Sequence, residues 1–194
     1  NKYLVPLPSS GSRFASDTLI LETAVMAPAS PAVVRSIDSY LYRLCIEEGF
    51  NDVVTEYKLE PFELMVNSIE RTYIDKIFAL CDYYLAGPLP PRQSRHIYDL
   101  HKLTPSISFD DEFIELFFAV RKQRKRVHRC FSAQEDVDIS SVLKTIVDDE
   151  IYREDYENIT MPLLFEDVSY DEAITSLRKI TAFIGNIRNH RDTN

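Results

Sequence analysis

Residues 69–85 read IERTYIDKIFALCDYYL, and with this stretch the pattern of the chain changes to that of a helix. Its apolar residues recur at helical spacing on one face, and they are Ile74, Ile77, Phe78, Cys81 and Leu85. Asn67 precedes the stretch and is followed three residues later by Glu70, as in an N-cap residue and its reciprocal partner. The pattern predicts an amphipathic helix that begins at Asn67 and ends before GPLPP, residues 87–91.

Further helices are predicted downstream of this one. A short helix follows Ser94, with Ile97, Leu100 and Leu103 on its apolar side, and Pro105 closes it. Another begins near Asp110 and becomes strongly basic towards its end. Later helices are predicted over about 140–158 and from Ser169, where the sequence SYDE has the form of a capping box.

The first part of the chain has a different pattern. Residues 18–26, TLILETAVM, form an apolar run interrupted by one acid, which predicts a buried strand with Glu22 near its end and a break at Pro28 and Pro31. A short helix is predicted from about Ser36 to Gly49, and short strands within 51–66, around DVVTEYKL and FELMV. The sequence therefore predicts an α+β fold, with a small sheet in residues 1–66 and a helical region in 67–194.

Composition narrows the classes of protein. With 194 residues, 45% of them hydrophobic and 27% charged, the chain is typical of a globular protein with one domain, or one and a half. The net charge of -9 argues against a protein that coats nucleic acid with its whole surface. The three cysteines are widely spaced, which predicts neither disulfides nor a zinc site. The chain has no signal-peptide pattern and no apolar run of about 20 residues, so we expect a cytoplasmic protein without membrane contact.

Three separated charges are candidates for chemistry. Lys76 lies on the first helix away from the apolar face, and Asp99 shares a side of the next helix with Arg95. Periodicity alone favours the interpretation that Lys76 and Asp99 are solvated charges on the helix surface. Glu22 stands inside an apolar run, where a carboxylate requires a compensating cation or hydrogen bonds, so it is either a functional group or a satisfied structural acid.

Residues 121–129, RKQRKRVHR, form a basic run at the end of an apolar helix. Cations are favourable at a helix C-terminus, and the run would then be a solvated face. The alternative is a contact with RNA phosphates, because a dense positive cluster in an acidic protein attracts polyanions locally. The candidate RNA-binding residues are Arg121, Lys122, Arg124, Lys125, Arg126 and Arg129.

The segments around Arg71–Lys76 and Arg95–Leu100, with the strand TLILETAVM before them, resemble the AbiEii/AbiGii-type nucleotidyltransferase toxins. The resemblance extends over residues 17–187. It implies a partial nucleotidyltransferase-like mixed sheet followed by a helical region. It also implies that the protein uses Mg²⁺ to transfer a nucleotide from a nucleoside triphosphate to an RNA acceptor, for which tRNA is the first candidate. A cognate antitoxin would neutralise this activity.

The same resemblance implies roles for individual residues. Lys76 would lie at the triphosphate site, with Arg95 also contacting the nucleotide, and Asp99 would belong to a further catalytic motif. Glu22 would be the third carboxylate of the metal site. The basic run would then face the acceptor.

One motif of that family has no counterpart in this sequence. The family has a glycine-rich turn with serine or threonine, followed after about ten residues by an aspartate-x-aspartate pair. In GSRFASDTL, residues 11–19, Gly11 and Ser12 lie only a few residues before Asp17, and position 19 is leucine. We expect this loop upstream of Asn1, in which case these residues alone do not catalyse. The alternative is a catalytically inactive module that binds RNA or a protein partner.

Overall fold

The computed structural model describes residues 1–8, Gly11, 17–23 and 31–191, of which 188–191 are described by their backbone only. Its helices and small antiparallel sheets confirm the predicted α+β class. Ser12 and Pro28, which entered the sequence-based predictions, lie outside the described residues.

The strands pair in two separate antiparallel sheets. Strand β1 (Lys2–Pro6) pairs with β2 (Thr18–Glu22), with Lys2 opposite Glu22. Strand β3 (Ala32–Ile37) pairs with β4 (Phe62–Asn67), with Ala32 opposite Asn67. The predicted strand around FELMV is β4, so this prediction is confirmed.

The prediction that residues 18–26 form a buried strand is wrong for the described residues 18–23. The strand forms, but Leu19, Ile20 and Leu21 are about half exposed. The main contacts of β2 are with its hairpin partner β1, and a two-stranded hairpin has no second layer to cover either face. Glu22 is therefore solvent-exposed, and no burial cost has to be compensated at its carboxylate.

Two short helices lie between β3 and β4, where the sequence predicted one helix and more strand. Helix α1 (Tyr40–Glu47) starts later than Ser36, which lies in β3, and its cap is Ser39, whose side chain accepts from the Tyr42 amide. Gly49 follows with φ +76°, the left-handed conformation that ends helices. Helix α2 (Asn51–Tyr57) replaces the predicted strand DVVTEYKL, because burial of Val54 overrides the strand preference of its β-branched residues.

The second part of the chain is helical, as predicted. Its helices are α3 (Ile69–Leu85), α4 (Arg95–Leu103), α5 (Asp111–Arg124), α6 (Ile139–Asp148), the short α7 (Arg153–Asp155) and α8 (Tyr170–Arg191). The predicted cap at Ser169 is confirmed, since its side chain accepts the backbone amide of Glu172. The helix predicted to begin near Asp110 is also found, and the Asp110 side chain caps it by accepting the Phe113 amide. The cap of α3 is Ser68 instead of Asn67, because Asn67 is still paired in the β4 ladder.

The core of the protein lies within this helical region. Helix α3 packs against α4 and α5, and α8 packs against α4 and α6. The face of α3 predicted from its periodicity is buried at Ile74, Ile77, Phe78 and Cys81, whereas Leu85 at its end is 36% exposed. The hydroxyl of Tyr152 donates to the Leu80 carbonyl at 2.8 Å, which ties the segment before α7 to α3. None of the helices described is both long and apolar enough to cross a membrane.

Candidate functional site

An ion pair joins α3 and α4 at the surface of the helical region. The ammonium of Lys76 lies 2.5 Å from a carboxylate oxygen of Asp99, 23 residues further along the chain. The side chains are 23% and 35% exposed, so the pair is accessible to a ligand from solvent. An ammonium in this position can exchange its carboxylate partner for a phosphate oxygen, because both are charge-assisted acceptors.

An aromatic pair lies beside this ion pair. The imidazole of His96, one turn before Asp99 on α4, stacks on the ring of Tyr83, with ring centroids 6.0 Å apart and planes 9° from parallel. Burial, and then the neighbouring cations Lys76 and Arg95, lower the pKa of His96 to about 4, against the attraction of Asp99. His96 is therefore uncharged at neutral pH.

From the sequence we assigned no role to His96. Its spacing could have indicated that it lies near the site, because His96 and Asp99 are three residues apart and share one face of α4. Its Nδ1 atom is buried and has no hydrogen-bond partner among the residues described. Arg95, the predicted nucleotide-binding residue, is exposed at the start of α4, and no hydrogen bond or ion pair holds it within the described ranges.

Glu22 is not joined to this pair. Its carboxylate lies 3.5 Å from the ammonium of Lys2 across the β1–β2 hairpin, and its side chain is 69% exposed. In the part of the chain that the structure describes, no hydrogen bond or ion pair links Glu22 to Lys76 or Asp99. Within the same part, no group of three or more His, Cys, Asp or Glu side chains is placed to hold a metal ion.

The basic run divides into structural and free cations. Arg121 donates to the backbone carbonyls of Ala133, Gln134 and Val137, which fixes the segment between α5 and α6. Lys125 pairs with Glu135. The cations that are exposed and have no ion partner among the described residues are Lys122, Arg126 and Arg129.

Arg124 is the centre of a partly buried network. Its guanidinium donates to Asp75 and to Asp82 on α3, each at 2.9 Å, and packs over the ring of Phe78. The second oxygen of Asp82 accepts from the amide and the hydroxyl of Ser132. Burial would lower the pKa of Arg124, but the hydrogen bond to Asp82 and the nearby negative charge raise it above its ordinary value.

A comparison with protein-family models supplies the class of protein. Residues 2–176 match the model of the nucleotidyl transferase AbiEii toxin of type IV toxin–antitoxin systems. The chain belongs to this family. No curated protein and no solved structure matches the chain significantly.

Membership makes the protein a nucleotidyltransferase-type toxin of a toxin–antitoxin system. It implies an antitoxin partner and a nucleoside triphosphate substrate, and the family generally uses a divalent metal. The resemblance drawn from Arg71–Lys76 and Arg95–Leu100 is thereby confirmed.

Proposed function

We propose that the complete protein transfers a nucleotide from a nucleoside triphosphate to an RNA acceptor, with tRNA as the first candidate, and that Lys76 and Asp99 are its catalytic residues. The single observation that carries this proposal is the 2.5 Å ion pair between them, on adjacent helices of a member of the AbiEii family. The pair is partly exposed and stands beside a neutral imidazole, so Lys76 meets no competing cation from His96.

The chemistry follows from the charges. Transfer forms a bond between an acceptor hydroxyl oxygen and the α-phosphorus, breaks the bond to pyrophosphate, and releases the hydroxyl proton to solvent. Lys76 neutralises the negative charge that grows on the departing pyrophosphate. Asp99 holds the Lys76 ammonium in place before the nucleotide binds, and a phosphate oxygen then replaces the carboxylate. Arg95, exposed one helical turn before Asp99, is the second cation that we assign to the nucleotide.

A divalent ion has no complete set of ligands among the described residues. Glu22 is the metal ligand that we propose, but it pairs with Lys2, and it belongs to no group of three or more His, Cys, Asp or Glu side chains among the described residues that could hold a metal ion. These residues alone therefore do not form a metal site. We also propose that the chain is divided into a sheet region, 1–66, and a helical region, 67–194, which carries both proposed catalytic residues, Lys76 and Asp99.

We also propose that the protein acts in the cytoplasm. Nucleoside triphosphates and tRNA are found there, and a reducing compartment suits the free cysteines Cys45, Cys81 and Cys130.

Labelled nucleotides test the proposal. The complete protein is incubated with each labelled ribonucleoside triphosphate in turn and with total RNA, and label in the RNA is measured. We expect incorporation of one preferred nucleotide, and its loss in Lys76→Ala. The matched control is Lys144→Ala, which breaks an exposed lysine–aspartate pair with Asp148 on α6 and should leave incorporation unchanged. Full incorporation by Lys76→Ala would refute the assignment.

A second candidate function is binding of RNA without catalysis. The free cations Lys122, Arg126 and Arg129 favour it, because they remain available after the structural contacts of the basic run are accounted for. The two functions are separated by the same assay, since a binding module retains RNA but transfers no label.

A further inference from the structure

A groove lies between the C-terminal half of α3 and the turn that follows α5. Its volume is about 510 Å³, and Tyr83 and Phe131 contribute aromatic rings to its wall. Ala79 on α3 and Ala86 at the C-cap of this helix leave room beside the Tyr83 ring, because their side chains are single methyl groups. Phe131 is 41% exposed, although the residues that follow it, Ser132 and Ala133, are buried. We call this cavity the Tyr83 groove.

The charge of the groove is positive. Asp82 lines it, but Arg124 and Ser132 already satisfy both carboxylate oxygens. Arg129 also lines the groove, is exposed, and has no hydrogen bond or ion pair to any described residue. The remaining free charge on the wall is therefore that of Arg129.

The groove is connected to the Lys76–Asp99 pair through one side chain. Tyr83 lines the groove and also stacks on His96, which is one turn from Asp99. Along α3, Lys76 and Tyr83 are seven residues apart, or about 10 Å at the helical rise. A ligand seated in the groove thus lies next to the site that we assign to the triphosphate.

We propose that the Tyr83 groove binds the unpaired end of the RNA acceptor, with a base against Tyr83 and Phe131 and the adjoining phosphate at Arg129. Aromatic walls with an adjacent cation are the combination that holds single-stranded nucleic acid, because every base has a stacking face and every phosphate a negative charge. The inference rests on the proposed function for the identity of the ligand. The strand then runs towards Lys76 and Asp99.

Cys130 lines the groove and supplies a native probe. It is partly exposed, whereas Cys45 and Cys81 are 3% and 0% exposed, so an alkylating reagent distinguishes it from the other thiols. The experiment measures the rate at which N-ethylmaleimide labels Cys130 in the complete protein, read by peptide mass spectrometry. The probe is a short single-stranded oligoadenylate, added without any nucleoside triphosphate.

We expect the oligoadenylate to slow labelling of Cys130 several-fold, and heparin or blunt double-stranded RNA to slow it much less. Phe131→Ala should weaken binding of the oligonucleotide roughly tenfold or more. The matched control is Phe165→Ala, which removes a fully exposed phenylalanine away from the groove and should keep the protection. Because Cys45 and Cys81 are buried in the folded protein, the absence of label on both residues shows that each variant is folded.

The inference would be overturned if heparin slowed labelling of Cys130 as much as the oligoadenylate does, or if the antitoxin protein slowed it and the oligoadenylate did not. Unchanged binding of the oligoadenylate by Phe131→Ala would also overturn it. Equal protection by deoxyadenylate would also count against an RNA acceptor. These outcomes are distinct from failure of the proposed function. If nucleotide transfer depends on Lys76 but the oligoadenylate does not protect Cys130, only the proposed RNA site in the groove is rejected. If Cys130 is protected but no nucleotide is transferred, only the proposed catalysis is rejected.

Discussion

The ammonium of Lys76 and the carboxylate of Asp99 meet at 2.5 Å, across the seam between α3 and α4. The same seam brings Tyr83 against His96. Going from the first contact to the second, the chain advances along α3 and retreats along α4, as expected for antiparallel helices. The register of these two helices therefore positions both contacts, and a shift of one turn would separate them together.

The first prediction concerns growth inhibition by the complete protein. Lys76→Ala and Asp99→Ala should each reduce nucleotide transfer by about 10²-fold or more and abolish toxicity. Lys76→Ala removes the cation that acts on the departing pyrophosphate, and Asp99→Ala removes the carboxylate that holds this cation in place. Their free energies of unfolding should fall by no more than about 1 kcal/mol, since the pair is partly exposed. Growth curves at matched expression, with urea unfolding of the same variants, measure both effects. Retained toxicity in both variants contradicts the assignment.

The second prediction concerns stability and Arg124. Arg124→Ala should lower the free energy of unfolding by about 3–5 kcal/mol, because Asp75 and Asp82 are then left without their shared cation in a partly buried site. Arg126→Ala, the exposed control in the same basic run, should change it by less than about 0.5 kcal/mol. Urea unfolding followed by circular dichroism measures both. Equal, small effects would mean that the network contributes nothing to the fold.

The third prediction concerns pH and His96. Its pKa is about 4 in the folded protein and about 6.5 when unfolded, so the unfolded state binds the proton more readily between these values. Stability should therefore fall as the pH falls from about 6.5 towards about 4. Burial is the main cause of this low pKa; Lys76 and Arg95 lower the pKa further, and Asp99 raises it.

Replacing the imidazole tests the third prediction. His96→Phe keeps a ring on Tyr83 and should flatten this part of the pH profile, measured as unfolding free energy at about pH 7 and about pH 5. His128→Gln, at an exposed histidine, is the control and should leave the slope as it is. An unchanged profile in His96→Phe would show that another group causes the slope.

The fourth prediction concerns RNA and the free cations. Reversing the charge of Lys122 and Arg126 should weaken RNA binding and reduce its salt dependence. The logarithmic slope should fall by about 0.7 for each single-strand phosphate that the protein no longer neutralises. Lys144→Glu, on α6, is the matched control. Titration of labelled tRNA over a range of salt concentrations measures the slope. If the salt dependence of RNA binding is the same in all variants, Lys122 and Arg126 do not bind phosphates.

The sequence predicted the helices of the second region well because local signals and burial agree there. The helix predicted near Asp110 begins there, Ser169 caps its helix as expected, and the predicted apolar face of α3 is buried over most of its length. Where the signals disagree, tertiary structure decides. Val53 and Val54 favour a strand, yet α2 forms around the buried Val54.

The basic run could not be interpreted from its own spacing. Arg124 is bound by two acids of α3, a contact across 42 residues in the case of Asp82. The only local signal was the spacing of Asp75 and Asp82, seven residues apart on one face of α3. The convergence of Lys76 and Asp99 was likewise predictable only through the family resemblance, because periodicity alone also allows two solvated charges.

The bond from the Ser132 amide to Asp82 has a consequence for hydrogen exchange. An amide in a short connecting turn ordinarily exchanges through local fluctuation. This one is buried and donates at 2.8 Å to a carboxylate that Arg124 also holds. Its deuterium uptake should follow opening of the whole helical region, at a rate comparable with amides in the middle of α3. One turn residue would then report the global stability of the toxin.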